Sequence, residues 1–150
     1  PFRDEPGWFD GMAAPGGLQA AARGRDARAR FAETDEFDPS QFIEADWAAL
    51  RAEWRSLGAD AGAAGEASPD GLIDDDVAFA RPWGFEPGGV RQPVLLMHGG
   101  ADRVVPPGHA RWLLDALPSA ELWLRPRDGH VSVLTGVGLA MDWLLERSGS

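Results

Sequence analysis

The sequence predicts an α/β protein in which a mostly helical first half is followed by strand–helix–strand–helix, with the two strands parallel. Three observations carry that expectation. The short runs Val94–Met97 and Glu121–Arg125 are bounded by Pro, Gly or Ser, the mark of short strands. A helical pattern lies between them, and strand–helix–strand order predicts parallel pairing through a right-handed crossover. Residues 1–90 hold no convincing strand.

Taken in order, residues 1–17, "PFRDEPGWFDGMAAPGG", are dense in Pro and Gly and read as irregular chain with one helical turn around Trp8–Met12. Residues 18–33 are rich in Ala and Arg, with a thin apolar face, and predict a surface helix. Asp38-Pro39-Ser40-Gln41 has the form of a helix start, in which Asp38 caps, Pro39 takes the first helical position and Gln41 reaches back. Ile43, Trp47, Leu50, Trp54 and Leu57 then step by 4, 3, 4 and 3, placing them on one face of a helix that ends near Gly58. The two tryptophans read as core packing rather than ligand contacts. Residues 58–71 read as small-residue loop or weak helix, and Ser68-Pro69-Asp70 starts a further short helix, "DGLIDDDVAFA". Arg81-Pro82-Trp83-Gly84 and Pro87-Gly88-Gly89 break the chain.

From Pro93 the character changes. Val94–Met97 predicts a buried strand, "GHARWLLDAL" a helix with Ala110, Leu113, Leu114 and Leu117 inward, and Glu121–Arg125 a second strand. Val133, Leu134, Val137, Met141, Leu144 and Leu145 fall at helical spacing in a last helix. No internal repeat is visible.

Composition narrows the function classes. The chain has 150 residues, 44% of them apolar, enough for a one-domain core. No run approaches the roughly 18 apolar residues of a transmembrane helix. The formal net charge is −10, with 24 acids against 14 bases, a surface that repels phosphate backbones and argues against nucleic acid as a partner. Cysteine is absent, so disulfides and thiolate metal sites are excluded, which fits a reducing cytoplasm. Lysine is absent too, and with heavy Ala and Gly usage this resembles the coding bias of a GC-rich bacterial genome. No basic-then-apolar leader opens the sequence and position 1 is Pro, so the chain is expected to begin inside a longer protein or after processing.

The chemistry gathers late in the chain. In "PVLLMHGGADRVVPPGHA" Asp102 stands just past the first strand, and in "RPRDGHVSVL" His130 stands just past the second. Function in parallel sheets collects at the carboxyl ends of strands. Adjacent strands lie about 4.8 Å apart, so the loops leaving them can meet. An Asp bonded to a His fixes its tautomer and stabilises the imidazolium, two-thirds of a Ser-His-Asp system.

Residues 71–147 resemble the C-terminal part of an α/β-hydrolase. "PVLLMHGGADRVVP" is similar to that family's penultimate strand and acid turn, "ELWLRPRDGH" to its last strand and histidine turn, and acid precedes histidine as in the family. The resemblance implies a partial α/β-hydrolase fold, with residues 1–90 as a helical cap, close to bacterial prolyl-aminopeptidase-like hydrolases, and 91–150 as the C-terminal part of the core. It implies Asp102 as the triad acid and His130 as the general base. The family's G-x-S-x-G elbow is missing: none of Ser40, Ser56, Ser68, Ser119, Ser132, Ser148 and Ser150 has the flanking glycines. The family's oxyanion loop is missing as well. The expectation is therefore the C-terminal fragment of a serine hydrolase acting on an ester or amide bond, inactive alone, needing the N-terminal half of the same hydrolase and no cofactor. Its substrate is expected to be a small molecule or short peptide, and its free strand edge is expected to pair in a homodimer.

Plainer readings stand beside these. Asp102 suits a turn acid and His130 a loop histidine. His98 reads as structural. His109 reads as a cap or packing residue, with substrate contact as the alternative. Asp74, Asp75 and Asp76 read as a solvated helix face; the alternative is that Asp76, near Phe79, lines the substrate pocket together with Trp83 and meets a cationic amine. Neither the histidines nor the acids have the spacing of a zinc or calcium site. The competing function is a non-catalytic module that binds a partner through the cap groove and the strand edge.

Overall fold

The computed structural model describes residues 6–148; the first five residues of the expected irregular opening, and Gly149 and Ser150, lie outside them. The architecture is mixed α/β and mostly helical, with two parallel strands in one sheet among the described residues.

The turn expected around Trp8–Met12 is present, with Asp10 N–H bonded to Gly7 O at 2.9 Å and Met12 N–H to Phe9 O at 3.1 Å. The helix expected over 18–33 is instead two helices, α1 (Gly16–Ala21) and α2 (Arg25–Ala32). Gly24 separates them at φ 111°, a conformation that residues with a side chain rarely adopt. They lie at the surface with Gln19, Arg25, Asp26 and Arg30 exposed, but each turns part of itself inward, where Ala20, Ala21 and Arg28 are buried. The cover is a third helix, α5 (Asp70–Ala80), which packs on both. Trp8, Ala21, Val77 and Ala80 form the apolar cluster there, flanked by Phe9 and Leu18.

Asp38 caps as expected, accepting the Ser40 N–H at 2.8 Å, and the Gln41 amide reaches back to the Asp38 carbonyl at 3.1 Å. The element they start is a single 3-10 turn, Pro39–Gln41, rather than the long helix. α3 (Glu44–Arg51) follows, and the chain breaks at Ala52, φ −120° and ψ −103°, before α4 (Arg55–Ala67). The stripe from Ile43 to Leu57 is therefore divided between two helices. The expected ending near Gly58 is overridden by the many alanines after it, whose helix propensity carries α4 through three glycines. No residue of α4 is buried. α5 (Asp70–Ala80) matches its expectation and turns Ile73, Val77 and Ala80 inward. Ser68 Oγ accepts the Asp70 N–H at its start, at 3.1 Å.

Strands β1 (Val94–Gly99) and β2 (Ala120–Arg125) pair in parallel, Val94 opposite Ala120 and Gly99 opposite Arg125. α6 (Pro107–Ala116) is the crossover and packs on both strands. Beyond Gly99 the ladder continues into the loops: Gly100 N–H bonds Arg125 O at 2.8 Å and Ala101 N–H bonds Asp128 O at 2.9 Å. A Cβ on Gly99 would overlap the Asp128 and Gly129 carbonyls, so only glycine lets the two loops close this tightly. β1 was expected to be buried; Val94–His98 are half-buried, because two strands and one crossover helix cover little of each other.

After β2 a 3-10 turn, Ser132–Gly136, leads into α7 (Val137–Ser148). α7 is tied to β2 through Glu121, which accepts from Trp143 Nε1 at 3.2 Å and Arg147 Nη2 at 2.5 Å. Trp143 is the buried residue of α7, whereas Val137, Met141, Leu144 and Leu145 are exposed. No helix among the described residues is long and apolar enough to cross a membrane.

Candidate active site

The sheet register brings the acid loop and the histidine loop together. Gly99 and Arg125 are opposite each other, so the residues that follow leave the sheet at the same end. Asp102 is 6% exposed. Its Oδ1 accepts the N–H groups of Val104 and Val105, both at 2.9 Å, which fixes the carboxylate plane. Its Oδ2 accepts the Nδ1–H of His130 at 2.9 Å. His98 Nε2 stands 3.7 Å from the same oxygen, but its hydrogen bond goes to the Val105 carbonyl at 2.8 Å.

The hydrogen bond that His130 donates to Asp102 is the largest influence on its pKa and lifts it above that of an ordinary imidazole; burial opposes this, and the charges of Asp102 and Asp46 add to it. With Nδ1 held by Asp102, Nε2 carries the lone pair. The arrangement therefore presents an oriented base, with a buried carboxylate behind it to stabilise the imidazolium.

The histidine turn is braced on both sides. Arg125 pairs with Asp128 before it, and Arg125 Nη2 also donates to Thr135 Oγ1 at 3.2 Å beyond it. Thr135 Oγ1 in turn donates to the Ser132 carbonyl at 2.8 Å.

The other side chains singled out from sequence lie apart from this pair or are engaged elsewhere. Asp76 on α5 forms an ion pair with buried Arg28 at 2.6 Å. His109, on α6, donates from Nε2 to the Trp8 carbonyl at 2.8 Å, and burial keeps its pKa below that of an ordinary imidazole. Trp83 lines a cavity of about 230 Å³ with Pro82, Phe85, Pro87 and Trp112. Ser132 is 4% exposed; its hydroxyl donates to Asp46 and accepts the Gly129 N–H, each at 2.8 Å. Among the described residues no group of three or more His, Asp or Glu is placed to hold a metal ion.

Three contributors were not singled out from sequence. An open cavity of about 770 Å³ lies between α3 and α4, lined by Phe37, Phe42, Trp47, Leu50, Leu57 and Val131. Val131 follows His130 directly, and the Phe42 ring stacks on the imidazole at 6.4 Å and 10°. Trp47, expected in the core, faces this cavity in T-shaped contact with Phe42 and Phe37. The third contributor is Asp46, a fully buried acid of α3 bonded to the histidine turn. Its one local signal was its place three residues after Ile43, where an acid can accept the first N–H of a helix, as it does at 3.0 Å.

No family model and no solved structure matches the chain. Among curated proteins, 46 residues, 31% of the chain, are 48% identical to the Pimeloyl-[acyl-carrier protein] methyl ester esterase of Nitrosomonas europaea. That stretch is 18% of the relative, so the match spans less than a fifth of its length. The likeness to an esterase is confined to that short stretch.

Proposed function

We propose that this chain carries the acid and base of a serine-hydrolase triad, Asp102 and His130, for cleaving an ester or amide bond of a small substrate. The nucleophile comes from a part of the hydrolase outside this sequence. The observation that carries the reading is the 2.9 Å bond from His130 Nδ1 to an Asp102 carboxylate whose other oxygen is pinned by two backbone N–H groups.

His130 Nε2 takes the proton of the attacking alcohol as its oxygen adds to the substrate carbonyl. The imidazolium, stabilised by Asp102, then protonates the leaving alcohol or amine as the tetrahedral intermediate collapses to an acyl-enzyme. Water repeats the sequence and releases the acid. The oxyanion donors lie with the nucleophile, outside this sequence.

The likeness to a methyl ester esterase favours an ester over an amide. The apolar cavity beside Phe42 and Val131 suits an apolar portion of the substrate, held within reach of the base. Trp83, Asp76 and His109 take no part in this reaction. The Asp76 carboxylate is already paired with Arg28 and His109 already donates to the Trp8 carbonyl.

The isolated chain should hydrolyse neither p-nitrophenyl esters nor amino-acid arylamides above buffer. Turnover by the chain alone that vanishes in His130→Ala would overturn the reading. A longer chain that supplies a G-x-S-x-G elbow should be active, and there Asp102→Asn or His130→Ala should cost several powers of ten in rate. A second reading, a non-catalytic partner-binding module, is favoured by the exposed apolar stripe of α7. It predicts that the longer chain is inactive and that neither variant matters.

A further inference from the structure

Asp46 has no exposed surface and is the largest fully buried side chain among the described residues. Burying a carboxylate is costly unless its oxygens are well supplied with donors. They are. Oδ1 accepts the Val131 N–H at 2.9 Å, the Ser132 N–H at 2.7 Å and the Ser132 hydroxyl at 2.8 Å. Oδ2 accepts the Ile43 N–H at 3.0 Å, at the start of its own helix α3. Burial alone would raise its pKa; the Ser132 N–H and hydroxyl and the Ile43 and Val131 N–H groups outweigh burial and hold it below the ordinary Asp range.

The donors have a pattern. The Ser132 hydroxyl that gives its proton to Asp46 also accepts the Gly129 N–H at 2.8 Å. The backbone N–H groups of 129, 131 and 132 are thus all tied, directly or through one hydroxyl, to a single carboxylate, and they flank His130 on both sides. Gly129 has no side chain where one would overlap that carboxylate. Helix capping alone does not account for this, because three of the four bonds reach about 85 positions along the chain.

We propose that Asp46 is a positioning residue for His130: Asp102 sets the ring, and Asp46 sets the backbone that aims it. The inference rests on the reading of Asp102 and His130 as the catalytic pair. Its consequence is mechanical. Asp46 sits on α3 beside Trp47 and Leu50, which line the apolar cavity, so substrate seating and base orientation share one anchor.

The test is proton and nitrogen NMR of the His130 imidazole in the 150-residue chain. The probes are the downfield Nδ1–H resonance, a signature of the bond to Asp102, and the His130 titration. Asp102→Asn should abolish the resonance and lower the titration midpoint. Asp46→Asn should do the same although Asp102 is intact. Asp46→Glu keeps the negative charge but not the reach, and should also lose the resonance, which a purely electrostatic role for Asp46 would leave in place. Cross-strand contacts between β1 and β2 report whether each variant is folded. Should the Asp46 variants unfold, Ser132→Ala removes only the hydroxyl bridge to Gly129 and should weaken the resonance. An unchanged resonance in folded Asp46→Asn and Asp46→Glu, or in Ser132→Ala where they unfold, overturns the inference. If Asp102→Asn itself changes nothing, the catalytic pair does not form and the underlying reading fails instead.

Discussion

The ring of Phe42 lies parallel to the imidazole of His130, their centroids 6.4 Å apart and their planes 10° from parallel. An apolar wall and a polarised base therefore share one edge. The wall belongs to the helical part of the chain and the base to the strand–loop part. The bonds from Val131 and Ser132 to Asp46 also join these parts, as do those from His109 to Trp8 O at 2.8 Å and from Ala13 N–H to Arg103 O at 2.8 Å.

That edge predicts apolar ligand binding by the chain as it stands. Straight-chain methyl esters titrated into nitrogen-labelled protein should shift the Val131 amide and the Trp47 indole, both at the cavity. Affinity should grow by about 0.8 kcal/mol per added methylene until the cavity is filled, roughly fourfold each. Phe42→Ala and Trp47→Ala should flatten that dependence. Equal affinity for short and long esters would show that the cavity does not hold the chain.

His130 and His109 should pull stability in opposite directions as pH changes. Asp102 raises the folded pKa of His130 above its unfolded value near 6.5. Its contribution is complete below about pH 6.5 and is lost as pH rises through the raised folded value. Burial lowers the folded pKa of His109. Its contribution is present above about pH 6.5 and is lost as pH falls through the lowered value. Urea unfolding of wild type, His130→Gln and His109→Gln across this range checks both signs. In wild type minus variant, the gap for His130 should shrink with rising pH and the gap for His109 should grow.

What was legible in the sequence, and what was not, follows from the range of the interactions. β1, β2, α5 and α6 could be read because each is set by its own apolar spacing and by a nearby Pro, Gly or Ser. Asp102 and His130 could be placed at strand ends for the same reason. Their bond is long-range, but parallel register supplies it. The break at Ala52 could not be read, since no Pro or Gly stands there. Nor could the partners of Asp46, because an acid in the first turn of a helix carries no sign of a loop 85 positions away. The apolar stripe from Ile43 to Leu57 was seen, but Trp47, Leu50 and Leu57 line an open cavity instead of a core.

Arg28 and Asp76 offer a test that separates stability from binding. Their side chains are 3% and 14% exposed, and their bond is 2.6 Å. Removing one partner strands the other, so Arg28→Ala should cost about 3 kcal/mol in urea unfolding. Arg28 Nη1 has no hydrogen-bond partner, so the pair is imperfectly satisfied. Replacing both, Arg28→Met with Asp76→Leu, should therefore cost far less than either single change. Asp76→Asn should leave binding of a cationic amine ester unchanged. A selective loss of amine binding in that variant would return Asp76 to the substrate site.

Val137, Met141, Leu144 and Leu145 recur at i, i+4, i+7 and i+8 of α7, one continuous stripe. Every one of them is exposed, up to 68% at Leu145, while Trp143 holds the helix to β2 from roughly the other side. Strands β1 and β2 also keep backbone edges that no strand among the described residues covers. Both features predict association. Light scattering of the purified chain should show a dimer or larger species that grows with concentration. Met141→Glu with Leu145→Glu places two charges on the stripe without touching Trp143, and should shift that equilibrium towards monomer. If association persists in the double variant, the strand edges are what join. A wild-type chain that stays monomeric at high concentration would mean that neither surface is adhesive in isolation.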